Sequence, residues 1–303
     1  MKMKSRVRKS LGAVLGFAMT LGVLAGCGAE PANKIVIGSK NFTENMILGE
    51  IFTQVIQEKT DLKVVHKQNL GGTMVCFEAI KKGELDIYPE YTGTGLTAHL
   101  KRDAVNDADK VYAVVKEEFH KQFDIKWLEP LGFNNTYAVA VKEDFAKQNN
   151  LTKVSQLASL SKDLIFGAEH EFFDRQDGYE GMVQAYGFKF KGEPSKMDVA
   201  LKYQAIAEGK INVTDAFSTD GQLITYKLKV LEDDKKFFPP YYAAPIIRNK
   251  TLQKHPELEE ILNALAGKIN DEEMQKMNYQ AESEKKPIKD VAKEFLTVKG
   301  LID

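Results

Sequence analysis

Four aromatic residues stand where the chain changes direction. Tyr91 follows the strand-like run Leu85-Asp86-Ile87-Tyr88 in the Gly-rich turn Pro89-Glu90-Tyr91-Thr92-Gly93-Thr94-Gly95, and Tyr137 opens an apolar run behind Asn134-Asn135-Thr136. Phe217 follows a strand-like segment over 211–216, and Tyr241, preferred here to its neighbour Tyr242, follows Pro239-Pro240. Singly, each is an ordinary packing aromatic. Converging on one cleft, their faces suit a quaternary ammonium, a large and weakly hydrated cation, at about 0.5 to 2 kcal/mol per face. Enzymatic signatures are sparse: there is no Gly-x-Ser-x-Gly elbow, no Walker loop and no paired Cys-x-x-Cys. His170-Glu171-Phe172-Phe173-Asp174 approximates a zinc helix, but Asp174 stands where the second histidine belongs. His66, His99, His120 and His255 are scattered. No metal or cofactor is therefore expected. An exported enzyme would use a cleft carboxylate such as Glu90 or Asp215, yet nothing in the sequence pairs either with a second group of separated pKa.

Rings at element ends need elements that end together. Lys34 to Gly38 reads as a buried strand, and Asn41 and Glu44 have capping-box spacing ahead of a helix whose Ile47, Leu48, Ile51, Phe52, Val55 and Ile56 share one face. Leu62 to Val65 is the next strand, and the Gly71-Gly72-Thr73 turn leads into a helix that Gly83 ends. A helix over 107–123, a β-run over 137–141, a strand over 164–167, a helix over 178–186 and the 211–216 strand continue the alternation. Pro239-Pro240 breaks it, and Pro256 opens a return to charged helices. This pattern predicts an α/β fold with helices over largely parallel sheets. Two lobes are expected, with residues 34–138 and 239–303 in lobe 1, 139–238 in lobe 2, and the ligand in the crevice between them.

The first 26 residues, with Lys2, Lys4, Arg6, Arg8 and Lys9 ahead of an apolar run from Leu11 to Leu24, have the layout of a secretory signal peptide. The apolar run is short for a membrane span. Residues 27–33 form a small, polar tether. Without the five basic leader residues the chain carries 37 Lys and Arg against 43 Asp and Glu, a net charge of −6, which argues against a nucleic-acid partner. Cys76 reads as a small buried hydrophobe within a helix.

Leu24-Ala25-Gly26-Cys27 resembles the lipobox of bacterial lipoproteins, which implies diacylation at Cys27. Gly38-Ser39-Lys40-Asn41-Phe42-Thr43-Glu44, Leu70-Gly71-Gly72-Thr73, the 86–94 segment and Asp215-Ala216-Phe217-Ser218-Thr219-Asp220-Gly221 occur in the order found in the quaternary-amine binding proteins of ABC importers, and resemble them. That resemblance implies a two-lobed periplasmic-binding-protein fold of the second topological type, closing by a hinge around glycine betaine, proline betaine, carnitine or choline for osmoprotection. The implied partners are the permease membrane subunits and, through the lipid, the outer face of the cell membrane of a single-membrane bacterium. By motif, Tyr91, Tyr137, Phe217 and Tyr241 are the aromatic cage, with Phe217 where many relatives have tyrosine. Lys40 beside a helix N-terminus, Thr94 and Arg175 as a bidentate clamp are the implied contacts of a ligand carboxylate, and Asn135, near Tyr137, is a further polar candidate. Some choline-preferring relatives carry an acid at the Thr94 position, so threonine here points to zwitterions. The competing readings are a binder of amino acids or other small anions, an exported enzyme, and a sensor domain.

Overall fold

Two five-stranded sheets organise the computed structural model, which describes residues 33–303 apart from Gln176; the leader, Cys27 and the tether up to Ala32 lie outside the described residues. The strands are β1 (Lys34–Gly38), β2 (Lys63–Lys67), β3 (Ile87–Tyr91), β4 (Ile125–Trp127), β5 (Tyr137–Lys142), β6 (Phe166–Glu169), β7 (Ser195–Met197), β8 (Val213–Phe217), β9 (Leu228–Leu231) and β10 (Ala243–Arg248). Their orders are β2-β1-β3-β10-β4 and β7-β6-β8-β5-β9. Each sheet holds four strands of one direction and one that opposes them, β10 in the first and β5 in the second. The opposed strand is in each case the one that enters through a crossover from the other lobe. This is the two-lobed periplasmic-binding-protein architecture.

Burial on both faces explains the apolar strand runs. In lobe 1 the helix Thr43–Lys59 buries Ile47, Leu48, Ile51, Phe52, Val55 and Ile56 on one face of the sheet, together with the C-terminal helices. The helices Thr73–Lys82 and Ala108–Phe123 cover the other face, where Phe77, Phe119 and Trp127 pack. Cys76 is buried there within its helix. Gly83 closes Thr73–Lys82 in the left-handed region at φ 80°, as a C-terminal glycine should.

The expected capping box is not formed. The helix begins at Thr43 with Phe42 as its N-cap and no side-chain cap, because the carboxylate of Glu44 is drawn into the protein instead. The third strand starts two residues later than expected, since Asp86 spends its carboxylate on the Val36 N–H and the Thr251 hydroxyl. Tyr137 and Ala138, expected in lobe 1, are the first residues of β5 in the second sheet. The two crossovers run side by side: Asn134 bridges Tyr242, the Asn135 N–H bonds the Tyr241 carbonyl at 3.1 Å, and the Thr136 hydroxyl bonds the Pro239 carbonyl at 2.9 Å.

Candidate ligand-binding site

Strand direction brings the four rings together. Because β5 opposes β8, the first residue of one lies opposite the last residue of the other, and Tyr137 pairs with Phe217. Their ring centroids are 4.5 Å apart. Because β10 opposes β3, Tyr91 pairs with Ala243, two residues beyond Tyr241. Gly93, two residues after Tyr91, sits so close beneath Tyr241 that a Cβ there would lie 2.6 Å from its ring. Tyr91 and Tyr241 belong to a lobe 1 core cluster and Tyr137 to one in lobe 2, against which Phe217 packs. Tyr91, Tyr137 and Phe217 thus stand at strand ends, and Tyr241 lies in the crossover two residues before β10.

Each of the three candidate tyrosines donates its hydroxyl to a carboxylate: Tyr91 to Glu44 at 2.8 Å, Tyr137 to Glu169 at 3.2 Å, and Tyr241 to Asp177 at 3.0 Å. A phenol held this way keeps its proton and has one ring orientation. Burial, reinforced by the neighbouring carboxylate, raises the hydroxyl pKa of both Tyr91 and Tyr241. Burial also raises Glu44, against the hydrogen bonds it accepts from Thr219, Tyr91, Asn135 and Asn278. Phe217 has no hydroxyl to tether and is fixed instead by β8 pairing and by its N–H bond to Asp220 at 3.0 Å.

Resident cations lie near every ring. The Arg175 guanidinium carbon is 5.2 Å from the Tyr137 centroid and 6.0 Å from that of Tyr241. Lys40 Nζ is 5.3 Å from Tyr91, and Lys202 Nζ is 5.9 Å from Phe217. Lys40, however, does not offer its charge to the cleft. It is buried, with Nζ 2.5 Å from Glu90 Oε1 and 3.0 Å from Thr73 Oγ1. Burial by itself would raise Glu90, but the charge of Lys40, with help from His99, outweighs it and holds the carboxyl at about 2. Lys202 is likewise enclosed against Asp215 at 2.7 Å.

Arg175 is placed differently. It grips Asp177 through Nε at 2.7 Å and Nη2 at 2.8 Å, reaches the Tyr241 hydroxyl at 2.6 Å, and remains partly exposed. Burial would lower its pKa, but the Asp177 hydrogen bonds raise it, so it stays charged. With Asp177 from lobe 2, and Thr97, Lys101, Arg102 and Asp103 from lobe 1, it lines a crevice of about 350 Å³. A larger crevice, about 620 Å³, lies on the far side of lobe 1 among Lys116, His120, Asn249 and Glu259, away from the rings. Thr94 is half-buried in the helical turn Thr92–Thr94 after Tyr91. Asn135 turns its NH₂ to Glu44 at 2.7 Å, and among the described residues its buried Oδ1 has no partner. That oxygen is an acceptor and does not suit a carboxylate.

Asp177, Glu169 and the inward role of Glu44 were not read from the sequence. Only the Arg-x-Asp spacing of Arg175 and Asp177 offered a local signal. Ser39, His66 and Glu50 form a chain resembling a hydrolytic triad, with Ser39 Oγ 2.6 Å from His66 Nε2 and His66 Nδ1 2.9 Å from Glu50. Ser39 has no exposed surface, and a Cβ on Gly49 would lie 2.2 Å from its Oγ, so no acyl group reaches it. The three groups tie β1, β2 and the helix Thr43–Lys59 together. Glu90 and Asp215 are fully enclosed in ion pairs, which leaves neither placed for acid or base chemistry on a ligand.

Comparison with known proteins gives a consistent result. Residues 33–298 match the family described as the substrate binding domain of ABC-type glycine betaine transport system. A carnitine transport binding protein of Listeria monocytogenes is 40% identical over 275 residues, covering 90% of this chain and 89% of that protein. An ergothioneine transport permease/ergothioneine binding protein of Helicobacter pylori is 41% identical over 268 residues, 88% of this chain but 48% of that longer protein. A crystal structure of a glycine betaine/carnitine/choline ABC transporter superposes with a TM-score of 0.84 at 38% identity, covering 89% of this chain and all of that one.

Proposed function

The chain belongs to the family of substrate-binding domains of ABC-type glycine betaine transport systems, and on that premise we propose that it captures a betaine, glycine betaine foremost, for delivery to a permease in osmoprotection. The trimethylammonium head lies against Tyr91, Tyr137, Phe217 and Tyr241. The carboxylate lies toward Arg175, whose fork suits bidentate pairing, and toward the Thr94 hydroxyl. Lys40 acts behind the Tyr91 ring, paired with Glu90, rather than as a carboxylate ligand. The observation that supports the reading is the position of Tyr91, Tyr137 and Phe217 at strand ends of both lobes and of Tyr241 in the crossover beside them, with the Arg175 guanidinium 5.2 Å from Tyr137 and 6.0 Å from Tyr241. The protein acts as a carrier, not an enzyme. Calorimetric titration with glycine betaine, carnitine, proline betaine and choline tests this. Heat with at least one zwitterion supports it, and no heat with any at millimolar ligand overturns it. Tyr91→Ala separates it from amino-acid or simple anion binding, which would survive loss of the ring once the protein is folded.

A second reading is a betaine bearing a heterocycle, such as ergothioneine. It is favoured by the Arg175–Asp177 donor and acceptor pair at a crevice of about 350 Å³, beside the cage. Adding ergothioneine to the titration decides between them. Cys27 is proposed to carry the lipid that holds the protein on the outer face of a single-membrane cell, raising its effective concentration beside the permease. Cys27→Ser should move the protein from the membrane fraction to the medium. Among the described residues no helix is long and apolar enough to cross a membrane.

A further inference from the structure

One buried carboxylate touches the chain segments that carry Tyr91, Tyr137 and Phe217, and reaches Tyr241 through Asn135. Glu44 Oε1 accepts the Tyr91 hydroxyl at 2.8 Å and the Asn135 amide at 2.7 Å, while Oε2 accepts the Thr219 hydroxyl at 2.6 Å and the Asn278 amide at 3.1 Å. Tyr91 is a cage ring itself. Asn135 stands two residues before Tyr137, and its N–H bonds the carbonyl of Tyr241. Thr219 stands two residues after Phe217 and is itself held by Asn278, whose amide also donates to the Thr219 carbonyl at 2.8 Å. These donors come from β3, the first crossover, the lobe 2 loop after β8 and the lobe 1 helix Asp271–Glu282. A carboxylate has about four acceptor sites and no donor, so four converging donors match it, and no other side chain of that length accepts all four.

We propose that Glu44 is the positioning residue of the cage: it sets the Tyr91 ring directly and couples the segments bearing Tyr137, Phe217 and Tyr241 across the two lobes. This rests on the aromatic cage being the ligand site, and it assigns Glu44 no contact with ligand. Glutamine at this position keeps the size but replaces one acceptor oxygen with an amide donor that faces donors. The network then loosens while Ile37 and Val139, in the interior strands β1 and β5, are untouched.

Two measurements on the full chain test it. In hydrogen exchange of the unliganded protein, Glu44→Gln is expected to speed exchange at the backbone amides of Asn135 and Ser218, bonded to the Tyr241 and Thr136 carbonyls, together by at least about tenfold, with Ile37 and Val139 unchanged. Faster exchange confined to the helix Thr43–Lys59, or no change, overturns the proposal whatever the ligand is. In titration with glycine betaine, Glu44→Gln and Tyr91→Phe are each expected to raise Kd about tenfold, and the double variant no further than the larger single effect, because both break one coupling. Additive losses overturn it. A wild-type protein that does not bind glycine betaine tells against the ligand assignment alone, and the exchange result still decides the role of Glu44.

Discussion

Tyr91, Tyr137 and Tyr241, the tyrosines of the proposed cage, differ from Phe217 in having hydroxyls tied to carboxylates, so ring face and ring orientation are separable by substitution. Phe217→Ala removes a face and is expected to raise Kd for glycine betaine by roughly 3- to 30-fold, the equivalent of one cation–π contact. Phe217→Tyr keeps the face and is expected to change Kd less than about threefold by calorimetry. Arg175 predicts a difference between ligands rather than a uniform loss. Arg175→Gln should weaken glycine betaine by about 10- to 100-fold and choline, which lacks a carboxylate, much less. Equal losses for both would place Arg175 in structural support of Tyr241 instead. The four rings and Arg175 could be named from the sequence as candidates. Their carboxylate partners were not, because the Glu44–Tyr91 bond joins residues 47 apart and the Glu44–Thr219 bond residues 175 apart.

At the scale of elements, the cage depends on how closely turns stack. Gly93 has Tyr241 Cε1 at 2.6 Å and the Pro240 carbonyl oxygen at 2.8 Å from where a Cβ would sit. The carbonyl is backbone and yields little. Gly93→Ala is therefore expected to cost on the order of 1 to 3 kcal/mol, as overpacking does, and to lower thermal stability and ligand affinity together. Gly72, the N-cap of Thr73–Lys82, has nothing within 4 Å of that position and no positive φ, so Gly72→Ala serves as a near-neutral comparison in the same thermal melts. The helix and strand alternation was legible from periodicity, and boundaries slipped by about two residues where side chains competed for hydrogen bonds. Asp86, just before β3, and Glu44, at the head of Thr43–Lys59, are two such cases. Both acids stand where local rules favour a cap or a strand and tertiary partners prevail.

For the whole molecule, buried acids pull stability in opposite directions with pH. Glu90, ordinarily near 4.5 and held at about 2 in the fold, contributes stability that is fully present above pH 4.5 and is lost as pH falls toward 2. Glu44, Asp220 and Glu282 are raised, chiefly by burial, so their contribution is present below their ordinary values and is lost as pH rises through their folded ones. Melting temperature measured from pH 7 to pH 3 should first rise on mild acidification and then fall below about pH 4.5. Glu44→Gln should flatten the neutral limb, and a monotonic decline from pH 7 downward would contradict this assignment. Lys40→Met leaves Glu90 enclosed without its cation and is expected to destabilise by about 3 to 5 kcal/mol, read in denaturant unfolding.

By itself the sequence determined the basic and apolar pattern of its first 26 residues, the negative balance of residues 27–303, the alternation of helices and strands, and the aromatic residue types present. These are local or additive properties, carried by composition and short-range periodicity. The tertiary structure alone decided that Tyr137 faces Phe217, that Lys40 is neutralised by Glu90, 50 residues away, and that one carboxylate links both lobes. The first depends on which strand opposes its sheet, and the other two on which elements pack side by side. Both follow from the path of the chain between lobes, and no window of neighbouring residues records it.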